Sequence, residues 1–416
     1  MAKFYNIDPH TCSLDELRAA IAQCEDKVNL YSCLEQGCKR FINSVYGALA
    51  SKFYQCSNID IAESITLQGQ DLIKFSVRCC NKFFDTLWNQ QTEEQRYIAR
   101  DMKEKYPDFD VDGFLEKCKG KPNFGETCQI YGDTDSAYVT LDPLVKMLGI
   151  TNEQSADFIL LFDKYMLSPY LEYCFDVYAK QYNCKKNLEK FELEKIARTV
   201  LMQKKKKYVM DISWKEPDIH VKPLHSLVFK GVEVIKGTSS LFCRNEQREF
   251  VKWIMDNLNN DKKLDYGEIV GKLRDIKKRF IMQNPNDMCM TQSISDYEKY
   301  VLNDRGLDVE YVPGTVPPMH VKASARYNNM LYTSAKKYRS KYNMIHKGDK
   351  IKIYYIKGNR ENAFAFIPNA FPMEFAPPMD VDIQFEKLIL DPLNRYIEAL
   401  GYAPVSPNLT YSRPLW

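Results

Sequence analysis

Two aspartates, Asp133 and Asp135, stand two positions apart in the run from Tyr131 to Thr140, Tyr-Gly-Asp-Thr-Asp-Ser-Ala-Tyr-Val-Thr. The run reads as a β-hairpin with the acids at its tip. If strand alternation persists through the turn, both carboxylates face one side of the sheet. Paired hard oxygen ligands of this kind suit magnesium, which takes one or two carboxylates and completes its sphere with water and phosphate oxygens. An Asp-rich solvated turn has the same composition, and these residues alone do not choose between the two.

A second pattern runs from Lys39 to Gly47, Lys-Arg-Phe-Ile-Asn-Ser-Val-Tyr-Gly. Its spacing predicts a helix ending near Gly47, with Lys39, Asn43 and Tyr46 on one stripe. An ammonium, an amide and a flat ring in that order could neutralise a triphosphate, hydrogen-bond it, and pack under a base pair beside Gly47. Solvated or core-capping residues would give the same stripe.

The third pattern is a run of four lysines, Lys204 to Lys207, closed by Tyr208 and flanked by apolar Leu201, Met202, Val209 and Met210. Such charge on a strand edge attracts backbone phosphate by counterion release. It also fits a solvated face or an edge guard against strand addition.

Together and in this order, the three patterns resemble the family B DNA polymerases. The family pattern Lys-x-x-x-Asn-Ser-x-Tyr-Gly is met at Lys39, Asn43, Ser44, Tyr46 and Gly47, and Tyr-Gly-Asp-Thr-Asp-Ser at Tyr131 to Ser136. Lys-Lys-Arg-Tyr appears as Lys205, Lys206, Lys207 and Tyr208, with lysine in place of arginine at the third position. That change keeps the charge and loses the bidentate fork. The segments Ala62 to Gln70, Phe229 to Glu233, His320 to Tyr327 and Lys347 to Lys357 look similar to a palm helix, the thumb entry and thumb elements of the enzymes of T-even-type phages.

The resemblance implies templated addition of deoxynucleotides to a primer 3′-hydroxyl, with two magnesium ions as cofactor. Asp133 and Asp135 would be the catalytic metal ligands, Asp135 bridging both ions. Glu194 looks like an additional palm carboxylate, with Glu192 and Glu189 as competitors. Lys39, Asn43, Tyr46 and Gly47 would bind the incoming nucleoside triphosphate. Lys205, Lys206, Lys207, Tyr208 and Lys230 would bind primer-template DNA, Lys206 and Tyr208 reading groove acceptors at the primer terminus.

These patterns need elements to hold them. Ser13-Leu14-Asp15-Glu16 forms a capping box that starts a helix. Leu14, Leu17, Ile21, Cys24, Val28 and Tyr31 then follow steps of three and four, the seam of a helix packing along another helix. The resemblance implies an antiparallel pair of fingers helices, of which this would be the returning one; a seam docked on the chain's own palm is the competing reading. No Asp-x-x-Ser-Leu-Tyr-Pro run, the family's other palm motif, occurs in the sequence. The expectation is therefore the C-terminal subunit of a split polymerase. Its N-terminal partner chain would supply the exonuclease and the missing palm aspartate. A fragment of a single-chain enzyme and a non-catalytic primer-template binding module are the alternatives.

The resemblance and the apolar spacing together predict an α+β fold: partial helical fingers over 1–57, a palm with an antiparallel sheet over 58–236, and a mostly helical thumb with a tail over 237–416. Residues Thr92 to Glu126 read as a polar insertion, a loop with a short helix. Helices are expected at Asn245 to Leu258 and Tyr266 to Arg279, after a candidate hinge at 237–240. A second basic cluster, Lys336, Lys337, Arg339, Lys341, Lys347, Lys350 and Lys352, interleaves with Tyr332, Tyr338 and Tyr342. It suits a thumb that follows a duplex, or a solvated basic helix.

With 416 residues and 45% hydrophobic content the chain can fill two or three cores, and a net charge of +3 neither demands nor excludes nucleic acid. Thirteen cysteines without a Cys-x-x-Cys pair read as reduced thiols rather than a disulfide or zinc framework. No apolar run approaches the length of about twenty residues that a membrane helix needs, so the expected location is the cytoplasm, the host's if the source is viral. Tyr411 to Trp416, in a proline-rich stretch with aromatic anchors, fits a tail folded back on the thumb, whereas the resemblance to phage polymerases implies a peptide docking on a sliding clamp.

Overall fold

The computed structural model describes residues 11–133, 136–216, 226–232, 234, 237–358 and 362–409. The candidate tail, Tyr411 to Trp416, lies outside them. The chain divides into two compact units, one comprising residues up to Thr151 with Leu160–Phe191, the other Asn152–Ile159 with the chain from Glu192 onward.

The first unit opens with α1 (Leu14–Ala50), which starts where the capping box places it. The Ser13 backbone N–H donates to the Glu16 carboxylate at 2.9 Å, and the Glu16 N–H donates back to Ser13 Oγ at 3.4 Å. The helix continues three residues past Gly47 and none of its residues is buried, the seam residues Leu14, Ile21, Val28 and Tyr31 included. Next comes α2 (Ile59–Lys82), capped by Asn58, whose side chain accepts from the Ile61 N–H. Its helical period turns Phe75 toward α7 (Ser168–Gln181), where Phe75 meets Tyr178 with ring centroids 4.7 Å apart. The Tyr178 hydroxyl donates to Asp71 Oδ2 at 2.8 Å and holds that carboxyl below its ordinary value.

Between them, the expected loop with one short helix is instead two helices, α3 (Thr92–Lys105) and α4 (Val111–Cys118). Buried Ile98, Ala99 and Met102 of α3 and Phe114 and Cys118 of α4 give this polar stretch enough apolar contact to order it. The hairpin β1 (Gln129–Asp133) and β2 (Ser136–Val139) follows, then α5 (Asp142–Leu148) and α6 (Ser155–Phe162), whose residues are shared between the units. Phe83, Phe84 and Trp88, just past α2, gather round Phe162 at centroid separations of 5.9, 5.9 and 6.0 Å.

The second unit carries an antiparallel sheet in the order β3 (Lys195–Lys204), β4 (Lys207–Lys215), β5 (Ser226–Lys230). Leu201 and Val209 of this sheet share a core with Phe250, Val251 and Ile254 of α8 (Leu241–Asn259) and with Ile269, Leu273 and Ile276 of α9 (Tyr266–Ile281). Both helices contain the spans expected from apolar spacing. Ser240, at the candidate hinge, caps α8, accepting from the Cys243 N–H and donating to the Asp287 carbonyl.

Beyond α9 the region sets short strands among its helices. It holds β6 (Met290–Ser293), α10 (Tyr297–Tyr300), β7 (Val301–Asn303), β8 (Glu310–Tyr311), α11 (Met319–Thr333), α12 (Lys336–Arg339), β9 (Lys350–Tyr355) and β10 (Ala363–Phe366). Its sheet runs β10-β9-β6 and is covered by α11. Every residue of β10 is buried, so this strand lacks the polar alternation that marks a half-exposed one. A closing pair, α13 (Val381–Phe385) and α14 (Asp391–Ala399), returns to the α8 core. The whole is α+β, with small antiparallel sheets among helices. No described helix is long and apolar enough to cross a membrane.

Candidate nucleotide and nucleic-acid site

On α1 the side chains of Lys39, Asn43 and Tyr46 are exposed on one helical stripe, Tyr46 at 39%. A Cβ added at Gly47 would meet no atom within 4 Å. The stripe therefore offers charge, amide and ring to solvent, with an open shoulder beside the ring. Lys39 Nζ lies 2.7 Å from Glu35 Oε1, one helical turn back, and the ammonium holds the Glu35 carboxyl below its ordinary value. Both groups are exposed, so this pair is weak and screened, and an arriving phosphate can compete for the lysine. Glu35 is the residue that motif reading passes over; its i,i+4 spacing to Lys39 was the available signal.

In the hairpin, Asp133 pairs with Ser136, Gly132 with Ala137 and Tyr131 with Tyr138, whose rings are 5.2 Å apart. The base of the hairpin is tied to α2 by the Cys128 N–H, which donates to Asn81 Oδ1 at 2.9 Å. β1 ends at Asp133 and β2 begins at Ser136. The side chain of Asp133 and all of Asp135 lie outside the described residues. Among the described residues no group of three or more His, Cys, Asp or Glu is arranged to hold a metal ion. The donor chemistry of the pair, two carboxylates two positions apart in the sequence, is that of magnesium rather than of a soft metal.

The lysine run forms the turn of the β3–β4 hairpin. Lys204 pairs with Lys207, and Lys205 and Lys206 make the connection, Lys206 with φ +62°. On the neighbouring strand Lys230 stands in register with Tyr208. The fold thus brings Lys205, Lys206, Lys207 and Lys230 to one end of one sheet. Tyr208 is only 4% exposed, so its ring belongs to the core beneath this cationic end rather than to its surface. Gly231, absent from the motif, closes the turn: its φ is +65°, and an added Cβ would lie 2.2 Å from the Lys206 carbonyl oxygen.

Glu194 sits at the other end of the same hairpin, where its carbonyl accepts from the Glu216 N–H. Its carboxylate is exposed, 3.7 Å from Lys195 Nζ. Ten residues of β3 separate it from the lysine turn, roughly 30 Å at the usual strand rise. Glu189 and Glu192 are exposed as well.

In the second basic cluster Lys341 and Tyr342 are engaged internally, both with Glu374 at 2.6 Å. Arg339 lies over the Tyr332 ring at 5.6 Å. Arg339, Tyr342, His346 and Lys350 line a shallow concavity of about 650 Å³.

Residues 15–152 match the profile of the family described as DNA polymerase family B. The DNA-directed DNA polymerase of Enterobacteria phage T4 is 21% identical over 323 residues, 75% of this chain and 30% of that protein. The DNA-directed DNA polymerase of Escherichia phage RB69 is 21% identical over 307 residues, 70% of this chain and 28% of that protein. The chain therefore spans about 30% of the length of these relatives.

Proposed function

The chain is related to the family B DNA polymerases of T-even phages, and from that premise we propose that it forms the fingers-helix, palm and thumb portion of a template-directed DNA polymerase. The observation that carries this reading is the solvent-facing stripe of Lys39, Asn43, Tyr46 and Gly47 on α1, in a chain whose separate lysine turn gathers Lys205, Lys206, Lys207 and Lys230. One set suits a nucleoside triphosphate and the other a nucleic-acid backbone.

In this reading Lys39 neutralises charge on the β and γ phosphates and Asn43 orients them. Tyr46 and the open shoulder at Gly47 test the shape of the nascent base pair. The lysine turn holds the primer-template duplex by its phosphates, and the Arg339–Lys350 concavity extends that track. Asp133 and Asp135 are the residues that would hold magnesium, whose chemistry when bound is to acidify the primer hydroxyl and neutralise the leaving group. Glu194 is a weaker candidate for this centre, its exposed carboxylate standing at the far end of the hairpin from the lysines.

The further palm aspartate and the helix that covers the α1 seam are proposed to come from a second chain. A seam of Leu14, Ile21, Val28 and Tyr31 that is exposed along its length supports that part of the reading. The test is primer extension with a labelled primer-template, magnesium and all four deoxynucleotides. The purified 416-residue chain is expected to bind the duplex without extending it, and addition of the partner chain is expected to start synthesis. Steady extension by this chain alone overturns the two-chain proposal. Duplex binding with no extension in the complex would leave a binding module.

A further inference from the structure

We propose that Asp211 and Asn259 are positioning residues whose buried hydrogen bond fixes the register of β3 against β4, and with it which lysines stand at the turn. The inference rests on the reading of that turn as a DNA contact.

The residue types at the turn do not by themselves set this register. Four identical residues span the turn, so sliding one strand past the other by a residue or two still leaves lysines at the tip. Hydrophobic alternation does not help either, because β4 is buried without interruption from Tyr208 to Ile212. A strand covered on both faces accepts a slip that a half-exposed strand would refuse. The β3–β4 ladder is also irregular, with breaks in register near Ile196, Ala197 and Met202.

One side chain from outside the hairpin reads both strands. Asn259, the last residue of α8, donates from Nδ2 to Asp211 Oδ2 at 2.5 Å and accepts at Oδ1 from Thr199 Oγ1 at 2.7 Å. Thr199 and Asp211 are register partners. Asp211 is 2% and Asn259 9% exposed. A slipped hairpin would separate Thr199 from Asp211, and the amide could no longer satisfy both. The Asp211 side chain would lose this amide donor at a buried site, where a lost hydrogen bond is costly. Polar contacts of this kind discriminate between registers where apolar contacts do not. The α8 end is itself anchored, since Phe250, Val251 and Ile254 pack on Leu201 and Val209, and Asn152 Nδ2 reaches the Asn259 carbonyl at 3.5 Å.

The test reads register directly. Val200 and Met210 are partners in the observed register, and β3, β4 and β5 contain no native cysteine. Val200→Cys with Met210→Cys, oxidised in the full chain and mapped by peptide mass spectrometry, is expected to give the Cys–Cys cross-link between these positions. In the Asp211→Leu, Asn259→Leu background, which keeps the site apolar and filled, the cross-link yield is expected to fall several-fold. Affinity for a primer-template duplex should fall with it, at an unchanged melting temperature. Asp211→Asn retains an acceptor for Asn259 and is expected to keep both. Should the apolar pair not fold, Thr199→Val removes one of the two contacts and is expected to lower the cross-link yield. Full cross-linking in Asp211→Leu, Asn259→Leu, or in Thr199→Val if that is the variant that folds, overturns the proposal. Failure of the DNA reading is separately visible: Lys206→Ala would then bind the duplex as tightly as the native chain, while the cross-link still decides the register.

Discussion

Gly231 and the carbonyl of Lys206 approach so closely that a Cβ at residue 231 would lie 2.2 Å from the oxygen. Both residues have positive φ, +65° and +62°. The strand carrying Lys230 can reach the lysine turn only because the next residue has no side chain. Lysine in the left-handed region is costly, and the contact with Gly231 accompanies that conformation at the tip of the cationic turn.

Gly231→Ala is therefore expected to destabilise the protein by about 1–3 kcal/mol, through strain at positive φ and the clash with Lys206. It is also expected to weaken primer-template binding at fixed salt. Urea denaturation and duplex titration check the two effects; native values in both would mean the contact is incidental.

Lys39→Ala is expected to raise the KM for the incoming nucleotide in the reconstituted enzyme while leaving duplex affinity unchanged. Glu35→Gln should act in the opposite sense, because Glu35 competes with phosphate for the same ammonium. Steady-state kinetics in varied nucleotide separate the two, and a normal nucleotide requirement in Lys39→Ala would refute its assignment.

Asp135→Asn is expected to lower extension by about 100-fold or more, equivalent to ~3 kcal/mol of lost transition-state charge stabilisation. Duplex affinity should stay within about twofold, since metal charge is lost and no phosphate contact is. Chelation of magnesium in the native enzyme should reproduce both results, and joint loss of binding would place Asp135 in the fold rather than in the chemistry.

Glu374 links Lys341 and Tyr342, and hydrogen bonds from both hold its carboxyl at about 2, below the ordinary 4.5. A carboxyl depressed in the folded state contributes stability above its unfolded value and loses it as pH falls through the folded one. Glu374→Gln is therefore expected to melt below the native protein near neutral pH, the gap closing between 4.5 and about 2. Thermal melts across that window check the sign. The group is exposed, so the gap is expected to be small and to shrink in high salt.

What could be read from residues in order was what local physics dictates. Ser13 and Glu16 start α1 because a hydroxyl three residues before a carboxylate caps a first turn. Apolar steps of three and four mark α8 and α9 because a helix shows a stripe to its core. The stripe of Lys39, Asn43 and Tyr46 is likewise a matter of helical pitch. Tertiary structure alone decided the rest. Nothing near Lys206 announces that Gly231 will press against it, or that Asn259 will bond both Thr199 and Asp211. Tyr208 reads as a surface partner of lysines and is buried, because β4 is the central strand between β3 and β5 and is covered on both faces there. Residues Thr92 to Glu126 read as a loop with one short helix and hold two helices, because a few apolar side chains find a shared surface that composition does not reveal. Periodicity and capping are properties of neighbours along the chain, whereas burial and register depend on which distant segments meet.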